Sequence, residues 1–125
     1  MSKKYFQVVR RQTTEVLFSS VHWCNDGWSR FLGFQFRRRL KPAEALVLVH
    51  SRDSTSASSI HMFFVFTPLA VAWINQEGRV THIALAQPWR PYYASPTPAA
   101  YVLEAAPDFY GRLAVGDLID FLPVN

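Results

Sequence analysis

The sequence is poor in cysteine and contains no long apolar run, and these two shortages exclude whole classes of protein. Cys24 is the single cysteine among 125 residues, so a small scaffold held together by internal disulfides is excluded. Thr67 and Pro68 interrupt the longest apolar stretch, and no window approaches the roughly 18 residues that a transmembrane helix needs. The N-terminal segment alternates polar and apolar side chains and lacks the apolar core of a signal peptide. We therefore expect a cytoplasmic protein without a membrane span.

Local spacings typical of catalysis or metal binding are also missing. The chain has no Gly-x-Ser-x-Gly, His-x-His or Cys-x-x-Cys segment, which are patterns of serine hydrolases and of many zinc sites. Zinc sites can also be assembled from distant residues, but the scattered His22, His50, His61 and His82 favour histidines bonded to the backbone at a sheet edge. Cys24 stands two residues from His22, and burial as a small apolar side chain explains it better than a nucleophilic pair. We predict no metal and no cofactor.

The chain does contain enough apolar and aromatic residues to build one hydrophobic core. Half of its residues are apolar and 15% are aromatic, and a length of 125 residues fits a single domain spanning residues 1–125. Residues 1–42 hold nine Lys and Arg against two acids, a balance of +7, whereas residues 43–125 hold four Arg against seven acids, a balance of −3. This basic N-terminal third suits a protein or other anionic partner, or else forms a solvated face. Its cations include Lys3, Lys4, Arg10, Arg11, Arg37, Arg38 and Arg39.

Short segments rich in β-forming residues, separated by turn signals, predict a mostly β fold. Predicted strands cover residues 5–10, 15–23, 45–50, 60–66, 70–75, 79–85, 101–104 and 118–122. Asn25 or Asp26 can cap a short helix, in which Trp28, Phe31, Leu32, Phe34 and Phe36 are expected to pack against the sheet. Residues 107–113 allow a second helical turn. We predict a β-rich α+β domain, largely antiparallel, forming a sandwich or a partly closed barrel.

Three loops complete this prediction. Residues 51–59 are rich in Ser and Thr and predict an exposed loop. Residues 75–78 predict a hairpin turn in which Gly78 takes a positive φ. Residues 87–99 hold four of the eight prolines, so this segment should wrap the surface as extended chain outside the sheet.

An ordered set of short motifs resembles a known family. These motifs are Arg30-Phe31-Leu32-Gly33, Leu40 to Leu48, Ile60-His61, Pro68, Gly78-Arg79-Val80, Pro88-Trp89-Arg90, Val102-Leu103-Glu104 and Gly116-Asp117. In this order they resemble the small prokaryotic proteins known as domain of unknown function 192. The resemblance covers nearly the whole chain and implies a compact, β-rich single domain, but it names no reaction.

The chain departs from that family pattern at three neighbouring positions. Val65 stands where the family usually shows Met, and Phe66 stands where it shows a basic residue or Asn. The usual Pro-x-Asp reads Pro68-Leu69-Ala70, so a carboxylate is missing. The resemblance therefore implies that a family function needing this carboxylate is altered in this member.

His61, Arg79, Glu104 and Asp117 form the candidate polar site. Glu104 interrupts an apolar strand, where an ionised carboxylate must find a partner or shift its pKa. Arg79 and Asp117 each follow a glycine at a predicted turn. The structural alternative is that Glu104 bonds an arginine or backbone N–H groups, while Asp117 caps its turn.

A second candidate is a surface of aromatic rings around an arginine, made of Trp89, Arg90, Tyr92 and Tyr93. Rigid aromatic side chains beside an arginine are common in recognition sites for sugars, peptides or bases. The structural alternative is that Trp89 is a hydrophobic plug at one end of a barrel.

Three functional interpretations follow from these residues. The first is a binding or accessory module without identifiable catalytic machinery. The second is an enzyme or small-molecule binder with a polar pocket near His61, Arg79 and Glu104. The third is a nucleic-acid-associated protein that uses the basic N-terminal third, and it requires binding that weakens steeply with salt.

Overall fold

A computed structural model describes residues 4–35, 40–41 and 43–124, and it is mostly β. Its seven strands are β1 (Tyr5–Arg10), β2 (Glu15–Cys24), β3 (Ala45–Ser54), β4 (Leu69–Ile74), β5 (Val80–Ala86), β6 (Ala99–Ala105) and β7 (Ile119–Pro123). Helix α1 spans Gly27–Leu32, and Pro107–Phe109 form one 3-10 turn. No helix in the described ranges is long and apolar enough to cross a membrane.

All seven strands belong to one mixed sheet in the order β5-β4-β6-β3-β2-β1-β7. Only β2 and β3 pair in parallel; the other neighbouring strands are antiparallel. The two edge strands approach each other at one end, where Arg79 and Leu118 form an isolated bridge and the Ile119 N–H donates to the Gly78 carbonyl at 2.7 Å. The prediction of a largely antiparallel β fold is confirmed, and the sheet curls without closing into a barrel.

The central strands β3, β4 and β6 are buried on both faces, because alternate side chains enter two separate apolar clusters. On one face, Val47 and Leu103 pack with residues of β1, β2 and β7. On the other face, Leu46, Leu48 and Val102 pack with Phe34 and with the segment around Met62. This second face carries α1, so we call it the helical face.

Helix α1 begins at its predicted cap, but most of its aromatic side chains do not pack as expected. Asp26 is the N-cap and accepts the Ser29 N–H at 2.8 Å. Trp28 and Phe31 are 70% and 60% exposed, so their predicted packing against the sheet is wrong, whereas Phe34 is buried. The helix has only six residues and ends at Gly33, whose φ of 47° turns the chain inward before Phe34. Phe36 lies outside the described residues.

The predicted strand over residues 60–66 is wrong. Ile60 forms one isolated bridge with Tyr93, and the following residues form irregular turns that bury Met62 and Val65 while exposing the phenylalanines between them. Phe64 has a φ of 61°, a left-handed conformation that no continuous strand accommodates. The segment bonds instead to the proline-rich loop, since the Met62 N–H donates to the Arg90 carbonyl at 2.8 Å.

The serine-rich loop is shorter than predicted. Strand β3 continues to Ser54, leaving a turn over residues 55–58. Ser58 is fully buried, and its carbonyl accepts the indole N–H of buried Trp73 at 2.9 Å. The neighbouring turn over residues 75–78 forms as predicted, with Gly78 at a φ of 90°. A Cβ on Gly78 would lie 2.5 Å from the Ile119 carbonyl oxygen, so only glycine fits where the two edge strands meet.

Candidate functional site

A cleft opens on the helical face between α1, β3, β6 and the segment after Ile60. Its volume is about 280 Å³. The walls are mainly apolar, and the polar groups among the lining residues include Arg30, His50, His61 and Glu104. Apolar walls with a few convergent polar groups are the usual make-up of a small-molecule site. We call this space the Glu104 cleft.

Glu104 is the most unusual polar residue of the chain. It lies in the middle of β6, paired with Leu46 of β3 and Val71 of β4, and only 5% of its surface is exposed. Among the described residues, no side chain or backbone N–H donates a hydrogen bond to its carboxylate, so the predicted arginine or backbone partner is not observed. Burial raises the pKa of this carboxyl from 4.5 to about 7, because desolvation disfavours the charged form.

Gly33 brings the end of α1 over this carboxyl. A Cβ at Gly33 would lie 3.3 Å from Oε1 of Glu104, closer than most side chains tolerate. The φ of 47° at Gly33 also favours glycine. The lack of a side chain at this position therefore leaves space above the carboxyl, and a larger residue would crowd it.

The cationic rim of the cleft comes from alternate residues of β3 and from α1. Leu46, Leu48 and His50 follow the two-residue period of a strand, so the side chains change from apolar to polar along the same face. Arg30 of α1 anchors above this strand, where Nη1 donates to the Asn25 carbonyl at 3.0 Å and the Val49 carbonyl at 3.1 Å. Burial, and then the Arg30 charge, lower the pKa of His50 below its ordinary value of 6.5.

His61 forms the opposite rim and is exposed. Its Nδ1 accepts the Phe63 N–H at 3.2 Å, and its ring lies 5.2 Å from the Phe63 ring. It therefore bonds a backbone donor instead of the carbonyl that its position suggested. Neither His61 nor its neighbours completes a metal site: in the described ranges no three His, Cys, Asp or Glu side chains are grouped to hold an ion.

Cys24 lies on the helical face and is buried, as predicted. Burial and the nearby Glu104 charge raise the pKa of this thiol to about 11. Its Sγ lies 3.8 Å from Nδ1 of His22, but a thiol with such a pKa carries almost no thiolate at neutral pH. The geometry therefore supports its interpretation as a buried apolar residue.

The structure divides the four residues of the candidate polar site between two places. His61 and Glu104 line the cleft, whereas Arg79 and Asp117 lie where β5 approaches β7. There Arg79 donates to the Gly116 carbonyl at 3.3 Å, and Asp117 accepts from Arg10 and from the Ala114 N–H, the latter at 2.9 Å. Asp117 caps its turn, as the structural alternative expected.

The proline-rich loop presents an aromatic surface larger than predicted. Trp89 is 47% exposed and is not a buried plug. Its ring lies 5.0 Å from that of Phe64 and 5.8 Å from that of Phe66. Arg90 stacks over Tyr93 at 5.5 Å, and Tyr92 is exposed.

Backbone conformation distinguishes this aromatic surface from ordinary packing. Trp89 and Phe64 both have positive φ values, 67° and 61°, which are uncommon for bulky residues and cost roughly 1–3 kcal/mol each. The Trp89 N–H donates to the Met62 carbonyl at 2.7 Å and holds the loop against the wall of the cleft.

Two arginines of the basic N-terminal third are paired with acids of the same chain. Arg10 donates to Asp117 and, at 3.2 Å, to Glu15, while Arg11 lies 2.9 Å from Asp120. The predicted contributions of Lys3, Arg37, Arg38 and Arg39 lie outside the described residues. Arg10 and Arg11 are therefore occupied by intramolecular ion pairs, whereas Arg30 donates to backbone carbonyls.

Sequence reasoning did not assign Arg30, Gly33 or His50 to the candidate site. Arg30 and Gly33 belong to the first motif of the resemblance, and His50 continues the alternation of Leu46 and Leu48. That alternation was the available signal, because it places His50 on the same face as two core residues. Sequence alone could not show that α1 crosses this face.

Comparisons with known proteins agree on the fold and on the family. The sequence model of the DUF192 family, described as uncharacterised ACR, matches residues 8–121. A UPF0127 protein of Thermococcus kodakarensis is 34% identical over 77% of the chain, and this match spans only 60% of that protein. A UPF0127 protein of Pyrococcus furiosus is 28% identical over 81% of the chain and 85% of its own length.

Two crystal structures share the architecture. A Sinorhizobium meliloti 1021 protein, provisionally described as a transcription regulator, is 21% identical with a TM-score of 0.81, covering 96% of this chain and 94% of its own. A protein of unknown function from Novosphingobium aromaticivorans is 20% identical with a TM-score of 0.77, covering 93% of this chain and 83% of its own. At these identities the likeness shows the fold alone.

Proposed function

The chain belongs to the DUF192 family, whose function is uncharacterised, and we propose that this member is a binding module whose Glu104 cleft holds a small molecule with a cationic or hydrogen-bond-donating group. The observation that carries this proposal is a buried carboxyl for which the described residues supply no hydrogen-bond donor. Burying such a group is costly unless water or a ligand in the cleft, onto which Glu104 opens, satisfies it. A ligand donor placed in the cleft would satisfy it.

The protonation behaviour of Glu104 supports the same ligand class. With a pKa of about 7, the carboxyl changes charge near physiological pH. A cationic group near the carboxylate would favour its ionised form and so lower this pKa. Binding of an amine should therefore release a proton below pH 7 and be strongest above it.

The size and walls of the cleft limit the ligand further. A volume of about 280 Å³ lies at the lower end of the roughly 300–1,000 Å³ found for drug-sized ligands. Leu48, Met62, Val65 and Leu69 contribute apolar wall. A short aliphatic or cyclic body carrying one donor group fits this description better than a peptide or a nucleic acid strand.

Titration of the full chain with n-butylamine, and with n-butanol as the uncharged comparison, tests the proposal by NMR. At pH 8 we expect butylammonium to shift resonances of cleft residues and to bind Glu104→Gln at least about tenfold more weakly, since a hydrogen bond to a charged group contributes roughly 1.5–3 kcal/mol. Glu77→Gln is the matched control, because Glu77 is exposed and lies outside this cleft. Equal binding of amine and alcohol, unchanged in Glu104→Gln, would contradict the proposal.

The nucleic-acid interpretation is less well supported by the geometry. Arg10 and Arg11 form ion pairs with acids of the same chain, so binding an anionic polymer would require breaking them. A cytoplasmic location remains part of the proposal and is supported by the single, buried, unpaired cysteine.

A further inference from the structure

A second cleft opens beside the Glu104 cleft and carries the opposite charge. Its volume is about 600 Å³. The two clefts share Arg30, His50 and Ala57 among their lining residues, so they adjoin along β3, and we call the pair the β3 depression. The second cleft also includes Arg52 and the hydroxyls of Ser54 and Ser56. No described acidic residue lines it, and we call it the cationic basin.

The basin lies along the outer half of β3. Residues 49–52 and Ser54 of this strand line it, and the pairing of β3 with β6 is irregular between Val49 and Ser54, so successive residues reach the same cleft. The inner half of β3 on the helical face is apolar, whereas its outer half presents an imidazole, a guanidinium and a hydroxyl. Glu104 lies beside Leu46 on the neighbouring strand, at the inner end of the depression.

Donor groups in the basin remain available. Arg30 uses Nη1 for two backbone carbonyls, and no described hydrogen bond occupies its Nε or Nη2. Arg52 is exposed and forms no described ion pair. Oγ of Ser54 accepts the Ala57 N–H at 3.0 Å and lies 3.4 Å from Oγ of Ser56, so these two hydroxyls form a small cluster at the edge of the basin. Guanidinium groups and hydroxyls together are the usual recognition chemistry for carboxylate and phosphate oxyanions.

We propose that the cationic basin is an oxyanion subsite, and that one small amphoteric molecule spans the two adjoining clefts, with its donor or cationic group at Glu104 and its carboxylate or phosphate at Arg30 and Arg52. The amphoteric part rests on the proposed function of the Glu104 cleft. The oxyanion part rests on the basin itself.

The oxyanion subsite is tested with inorganic phosphate and with acetate as separate NMR titrants of the full chain. We expect at least one of them to shift resonances of His50, Arg52 and Ser54, and Arg52→Gln to weaken its binding about tenfold. Arg112→Gln is the matched control, since it removes the same charge from an exposed residue outside both clefts. Shifts absent from the basin, or equal losses in both variants, would overturn the subsite.

The histidine of the basin gives a second readout. His50 faces Arg30 and Arg52, with Glu104 and His61 in the adjoining cleft, and an oxyanion bound beside it should raise its pKa. The His50 ring resonances, followed from pH 5 to 8 with and without phosphate, should titrate at higher pH when phosphate is bound. A titration that phosphate leaves unchanged, or moves downward, would oppose the subsite.

The amphoteric ligand is tested with ω-amino carboxylates of increasing length, from β-alanine to 6-aminohexanoate. At one chain length we expect the amino carboxylate to bind at least tenfold more tightly than butylamine or acetate alone. Once one end of the molecule is bound, the contact made by its other end becomes intramolecular. No gain at any length, with butylamine and acetate each still binding, would overturn only this inference. Loss of butylamine binding at Glu104 would instead overturn the proposed function.

Discussion

Glu104 makes the folding stability of this protein depend on pH in a direction opposite to that of most carboxylates. Its pKa is about 7 in the folded protein against an ordinary 4.5, so the native state holds a proton that the unfolded state releases between these values. The contribution of Glu104 to the free energy of unfolding is therefore greatest below about pH 4.5, falls as pH rises, and is fully lost above about pH 7. A difference of 2.5 pKa units corresponds to about 3 kcal/mol.

Glu104→Gln removes this dependence, because the amide is neutral at every pH. Near pH 5 the variant should have a free energy of unfolding close to that of the parent protein. At pH 8 its free energy of unfolding should be higher by up to about 3 kcal/mol, which corresponds to an increase of roughly 10 °C in Tm. Urea unfolding of both proteins at pH 5, 6, 7 and 8 measures the difference, in which the contributions of all other carboxylates cancel. A difference that stays constant from pH 5 to 8 would refute the assignment of Glu104 as an unpaired buried carboxyl.

Three further predictions concern packing, ion pairing and reactivity. Gly78→Ala should destabilise the protein by about 1–3 kcal/mol more than Gly111→Ala. Both glycines have a positive φ, but of the two only Gly78 would bring an added Cβ against backbone atoms. Similar unfolding midpoints of the two variants would contradict this contact. Asp117→Ala should cost about 2 kcal/mol, because it removes a partly buried ion pair and a turn cap. Asp120→Ala, at an exposed pair, should cost less than about 1 kcal/mol in the same urea unfolding assay, and the reverse ranking would oppose this interpretation. Cys24 should react with a thiol reagent at pH 8 roughly a hundredfold more slowly in the folded than in the unfolded protein, given its pKa of about 11; equal rates would show that it is accessible.

Most strands could be predicted because each carries its own local signal. The runs that became β3, β4 and β6 are short, apolar and bounded by turn residues, and their burial on both faces follows from that composition. The segment from Ile60 to Phe66 has a similar composition but does not form a strand. Its conformation depends on Phe64 and on bonds to the proline-rich loop, which are tertiary features that no local pattern reports.

The candidate site was predictable in part. Glu104 could be identified because a carboxyl within an apolar strand is costly wherever that strand lies. The sequence could not predict that Glu104 lies apart from Arg79 and Asp117. This separation depends on the curl of the sheet, which places Arg79 and Asp117 at the junction of β5 and β7. Arg30 belongs to the site because the connection between the parallel strands β2 and β3 lays α1 over the helical face.

Ala70 stands where the resemblance to the family implies a carboxylate, and this position lies outside the Glu104 cleft. Leu69 lines the cleft, and its neighbour Ala70 lies on the opposite face of β4, buried near Ala72 and Leu113. A carboxylate at position 70 would therefore lie across the sheet from Glu104, within the other apolar cluster. Its absence removes a potential buried charge from that cluster and leaves the acid, the arginine and the histidines of the cleft in place. Position 70 and the cleft proposed as a binding site therefore lie on opposite faces of the same sheet.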